Sequence, residues 1–247
     1  MPDRTGPLSA FWRLPSVTFA RFTLRSYARS GWLWGEVIFV LAFFPVFWTY
    51  PGTEDYFFST GGIGMGILAL IGTAIMAHRA MSARVYLPLA RLSSRAACTR
   101  GLILATGALR LPLYLLLVAL ALVFRRIIDP QAIDLLLGSL GLLANTLVIA
   151  TLTVALSSPM ATRLIRIGFL LWLVLALAPL PGVDWLATLL SIIRLPLLPI
   201  ATSVGLGTTP TLGVVGVLWP LLVEALSLIG LTFAADFLLA RRDLILQ

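Results

Sequence analysis

The chain predicts an all-α polytopic membrane protein: six transmembrane helices, an amphipathic helix lying at the interface before them, and a re-entrant outer hairpin between spans five and six. Three observations lead there. Of 247 residues, 60% are hydrophobic and only 11% charged, against roughly a quarter charged in soluble domains, and mean hydropathy is +1.01. The apolar residues collect in runs near the roughly twenty residues needed to cross a hydrocarbon core of about 30 Å. The basic residues between those runs fall overwhelmingly on one side.

The N-terminal segment, residues 1–31, forms a cytoplasmic and interfacial unit ahead of a single six-span domain, 32–247. About thirty residues precede the first apolar run, and no small-residue cleavage site follows a short apolar core, so no cleavable signal peptide is expected. After Pro15, the stretch "SVTFARFTLRSYARSGW" offers Ser16 as N-cap. It places Arg21, Arg25 and Arg29 four apart on one stripe, with Val17, Ala20, Leu24, Tyr27 and Ala28 on an adjoining arc. That pattern predicts an interfacial helix with arginines toward headgroups and water, with a plain juxtamembrane anchor as the competing reading.

Spans follow at Trp32–Tyr50, Phe57–Ala77, Gly101–Phe124, Leu135–Leu156, Leu164–Leu180 and Leu212–Ala240. Between the last two, residues 181–207 are apolar but interrupted by Pro181, Pro196 and Pro199 and by Asp184 and Arg194. Prolines at that spacing oppose one continuous spanning helix. They favour two short helices dipping into the outer leaflet, with a seventh span as the competing reading.

Orientation follows from the arginines, because short cytoplasmic loops retain them. With the N-terminus inside, Arg4, Arg13, Arg21, Arg25, Arg29, Arg79, Arg84, Arg91, Arg95, Arg100, Arg163, Arg166, Arg241 and Arg242 all lie inside. Only Arg125, Arg126 and Arg194 lie outside. Both termini are therefore expected in the cytoplasm, and the chain in the plasma (inner) membrane. The formal charge of +8 belongs to this topology rather than to nucleic-acid binding.

All 18 basic residues are arginine. A P-loop needs its lysine on the phosphates, so the chain cannot hydrolyse nucleotide by that route. One cysteine, Cys98, excludes an internal disulfide. The single histidine, His78, sits at the inner border of the second span, and no H-E-x-x-H, histidine pair or G-x-S-x-G around Ser139 supplies a hydrolase. No catalytic, metal or cofactor site is expected in this chain. "GGIGMG" at 61–66 and "GSLG" at 138–141 allow close helix approach.

Four charges fall inside apolar runs, where they are costly and usually pair or line a path: Glu36, Arg110, Glu224 and Asp236. Counted from the inner ends of their spans, Glu36 lies about 6 Å deep and Arg110 about 15 Å. Snorkelling toward the cytoplasm covers much of that gap, so a Glu36–Arg110 ion pair is allowed, clamping the inner halves of spans one and three. The competing readings are that Arg110 pairs with Glu224 or snorkels alone to water. Asp236 is expected to meet interfacial water or Arg241. Pro112 and Pro220 place a bend near Arg110 and Glu224.

The loop from His78 to Gly101 carries five arginines and no acid. Ser94-Arg95 and the closing Arg100-Gly101 give it, together with the order of amphipathic helix, six spans, tight inner turn at Ser157–Arg163 and outer hairpin, its likeness: the chain resembles the membrane subunit of ABC transporters of the type-2 exporter family. In that family the loop typically runs G-T-L-E, L-L, P-x-S-R and closes on G-K. Here Tyr86 stands at the usual glutamate and Leu92 at the usual proline. The resemblance implies that the N-terminal helix and Arg84, Tyr86, Arg91 and Arg95 face a P-loop ATPase subunit holding ATP-Mg. It also implies that the permease pairs with itself or a similar chain, forming half of a translocation path within membrane lipid. The residues by themselves leave open an ion- or gradient-driven channel or secondary transporter using Glu224 and Asp236, and a non-transporting membrane scaffold.

Overall fold

The computed structural model describes residues 14–80, 95–128, 131–157, 161–177 and 214–240. Seven helices carry them: α1 (Pro15–Arg29), α2 (Trp32–Phe47), α3 (Glu54–Ala80), α4 (Arg95–Val123), α5 (Ala132–Ala155), α6 (Arg163–Leu177) and α7 (Val214–Ala240). No strand occurs among the described residues. The six helices after α1 coincide with the six apolar runs. Four of them, α3, α4, α5 and α7, are long and apolar enough to cross a membrane, and a fifth candidate arises if the bent pair α1–α2 is taken as one span. α2 is shorter than the run Trp32–Tyr50: at 16 residues it reaches about 24 Å. The hairpin and seventh-span readings of 181–207 lie outside the described residues.

α1 begins two residues earlier than Ser16 as cap would place it. Leu14 takes the cap position with no side-chain bond, and Pro15 opens the helix, where its missing N–H has no intrahelical partner to lose. Arg21, Arg25 and Arg29 are exposed as the stripe predicts. The buried arc is Val17, Phe19, Ala20, Thr23 and Tyr27; Ala28 is exposed and Leu24 half-buried, because the helix seats on its Phe19 face. That face meets the start of α4, where Gly101 is pressed to the Ser16 carbonyl and the Phe19 ring. A Cβ on Gly101 would sit 2.6 Å from that oxygen. α1 turns into α2 through Gly31, whose φ of +81° suits glycine, and the two axes meet at 72°.

The opposite end of the bundle is laced by backbone. Gly52 and Ile127 form an isolated parallel bridge, the Arg126 guanidinium donates to the Thr49 carbonyl at 2.8 Å, and the Gln131 N–H donates to Glu54 at 2.7 Å. Beneath them Trp48 packs between Phe44 and Phe57 with ring centroids 5.6 and 5.4 Å away. The two glycine clusters do bring helices close. Gly138 of α5 lies against the Phe58 ring of α3, and Gly64 of α3 lies against Phe43 of α2.

Candidate functional site

Among the described residues, a buried ion pair lies where α1, α2, α3 and α4 converge. Arg110 of α4 reaches Glu36 of α2 with two parallel bonds, Nη1 to Oε2 at 2.9 Å and Nη2 to Oε1 at 2.8 Å. The Arg110 and Glu36 side chains are 1% and 7% exposed. From α1, the Tyr27 hydroxyl donates to Glu36 Oε1 at 2.7 Å. Gly72 of α3 forms the floor: a Cβ there would lie 1.9 Å from Glu36 Oε1 and 2.3 Å from Arg110 Nη2. Four elements are thus joined through one carboxylate and one glycine.

The helical register explains the meeting. Glu36 is on the first turns of α2, directly after the Gly31 corner, so it stands near the end of the bundle where α1 packs. Arg110 is farther along its own helix, but long side chains in a helix lean toward the N-terminus, which brings the guanidinium back toward Glu36. The fork matches the carboxylate, and geometry of this quality is what a charge pair out of water requires to offset its desolvation. Burial, and then the bond to Glu36, push the Tyr27 hydroxyl up from its ordinary value, so it remains a donor through neutral pH.

Tyr27→Phe removes a hydrogen bond to a charged group but leaves Glu36 paired with Arg110. The expected loss is about 1.5–3 kcal/mol, read as a lowered thermal unfolding midpoint in detergent, with α1 becoming more readily cleaved by protease than the spans. A shift matching the loss of Arg110 would mean that the tyrosine bond, not the ion pair, holds the carboxylate.

Glu36 and Arg110 are therefore paired as their depths allowed, and Arg110 does not pair with Glu224. Glu224 is itself buried in α7, 1% exposed, four residues after Pro220 within a continuous helix; Pro112 likewise lies inside α4. Asp236, for which the sequence suggested interfacial water or Arg241, meets Arg100 of α4, Nη2 to Oδ2 at 3.1 Å and Nε to Oδ2 at 3.1 Å. Arg100 stands on the α4 face turned to α7, whereas Arg241 is outside the described residues. Of the loop residues, Arg84, Tyr86 and Arg91 lie outside the described residues, and Arg95 is the first residue of α4. His78 is exposed at the end of α3. Ser139 accepts from the Tyr114 hydroxyl at 2.6 Å and itself bonds the Leu135 carbonyl, a packing role. Among the described residues no cluster of metal-ligating side chains occurs.

Sequence reading missed Tyr27 as donor and Gly72 as floor. Tyr27 was visible as an apolar-arc residue nine positions before Glu36, but the Gly31 corner that folds it back was not. Gly72 carries no signal of its own in a helix with many glycines.

Described residues that fold into helices without a strand, with several helices of membrane length and a desolvated ion pair, place the chain by class with multi-pass membrane proteins. No family model, curated protein or solved structure matches it.

Proposed function

We propose that this chain is the permease subunit of an ATP-driven exporter of the ABC type, six spans with both termini in the cytoplasm, working as a homodimer or heterodimer with a separate P-loop ATPase. One observation carries the reading: the exposed, arginine-bearing helix α1 is tied by Tyr27 to the buried Glu36–Arg110 pair and hence to α2 and α4. A helix lying at 72° to its neighbour and bonded at its C-terminal end into the span bundle can carry a push from a docked partner into the membrane. Transport would then be alternating access. ATPase closure tilts α1, the four-helix junction moves as one body, and the halves part toward the outside. ATP-Mg stays in the partner, since a chain without lysine holds no P-loop. The junction serves as the cytoplasmic gate of this cycle.

The loop between α3 and α4 supplies the second contact, with Arg84, Tyr86, Arg91 and Arg95 toward an acidic partner surface. Tagged wild-type chain solubilised from its own host membranes is expected to bring down a P-loop ATPase. The double variant Arg91→Glu, Arg95→Glu is expected to lose most of it, because reversal adds repulsion where alanine only removes attraction. The remaining inner arginines still set topology, so insertion is unchanged, as cysteine accessibility would verify. Equal recovery of the ATPase with both chains would reduce the loop to a topology signal.

A further inference from the structure

A groove of about 700 Å³ runs between α4 and α7, with Leu147 of α5 at its base. One stripe of α4, from Arg100 through Leu104 and Ala108 to Leu111, forms a wall; Phe233 and Asp236 of α7 form part of the other. Its charged end lies where α1 packs, next to Gly101, so it opens at the arginine-rich end of the molecule. From Arg100 to Leu111 the helix rises about 16 Å, half of a hydrocarbon core of about 30 Å. The groove is therefore one leaflet deep, apolar along its length and charged only at its mouth.

We infer that this groove holds an acyl chain of an anionic phospholipid from the leaflet at the arginine-rich end, with the lipid phosphate on Arg100. Depth selects a lipid chain: an apolar trough that ends at mid-membrane and is capped by a cation has the dimensions and polarity of half a phospholipid. Charge selects the headgroup. The Arg100 side chain is 55% exposed while Asp236 is 13% exposed, and both contacts between them fall on the single oxygen Oδ2. A guanidinium has five N–H donors, so Asp236 aims the group and leaves donors for phosphate. Basic groups beside spanning helices at a membrane surface attract anionic headgroups. Bound there, the lipid fills the gap between α4 and α7 and stiffens the contact of the last span with the bundle. This occupancy stands apart from the exporter reading.

Native mass spectrometry of the full chain, released from micelles doped with equal phosphatidylglycerol and phosphatidylcholine, tests it. Wild type is expected to retain phosphatidylglycerol about fivefold over phosphatidylcholine, and Arg100→Gln to bring that ratio near one, the scale of one arginine at a membrane surface. Ala108→Trp, which fills the trough, is expected to lower total retention; Leu104→Trp, at a side chain 47% exposed, serves if that variant does not fold. Equal retention of both lipids by wild type, or unchanged phosphatidylglycerol on both tryptophan variants, would overturn the site. So would efficient disulfide cross-linking of Ala108→Cys chains to one another in vesicles, which would make the groove an interface between copies; the native Cys98 is buried and does not compete.

Discussion

Glu36→Gln is expected to destabilise the protein by about 3–5 kcal/mol, because it strands the Arg110 charge out of water. Arg110→Gln should cost a similar amount, leaving the carboxylate with the Tyr27 hydroxyl as its described partner. The double variant should be no worse than the poorer single, since with both charges gone neither is left uncompensated. Thermal unfolding of the four proteins in one detergent measures the cycle, and a coupling energy above about 2 kcal/mol is expected for groups in direct bidentate contact. Additive losses would mean that each residue is stabilised by something other than its partner. The same variants bear on the gate: if the junction transmits motion from α1, transport falls in the singles by more than folded yield explains.

Gly72→Ala is expected to destabilise, by about 3 kcal/mol if the new methyl drives the ion pair apart. The sign is the informative part. In an ordinary helix interior, alanine is favoured over glycine by about 1 kcal/mol. Gly62, on the same helix with nothing within 4 Å of its Cβ position, should show that ordinary gain when changed to alanine. At Gly72 the added carbon would stand 1.9 Å from Glu36 Oε1, and neither that carboxylate nor the Arg110 guanidinium can retreat without breaking its fork. Comparing the two glycine variants by thermal unfolding therefore separates helix propensity from crowding at the junction. If both variants are stabilised alike, the junction is looser than the contact distances imply.

What was legible in the sequence follows the physics of long apolar runs. A run of twenty apolar residues forces a helix because backbone polar groups have no other partner in hydrocarbon, so the six runs reappear as α2 to α7. Pairing between Glu36 and Arg110 was legible too, since depth along a helix is a one-dimensional count and few charges compete. Lateral packing was not. Whether Asp236 meets Arg241, five residues on, or Arg100 on another helix depends on which faces of α4 and α7 oppose each other, and a nearly uniform apolar helix does not announce its faces. The cap of α1 shifted for a local reason, proline at the first helical position outweighing serine one residue later. Tyr27 entered the site through a glycine corner, and single glycines in a chain holding 20 of them do not declare which one turns.

The central claim, that α1 and the spans it is bonded to are driven by a separate ATPase, is tested most directly by ATP hydrolysis in the assembly purified through a tag on this chain from its own host membranes. The expected result is hydrolysis that depends on a co-purified P-loop subunit and disappears when that subunit is stripped with salt, leaving an inert chain. A preparation free of any such subunit, in which the chain alone reconstituted in vesicles dissipates a proton or potassium gradient, would contradict it.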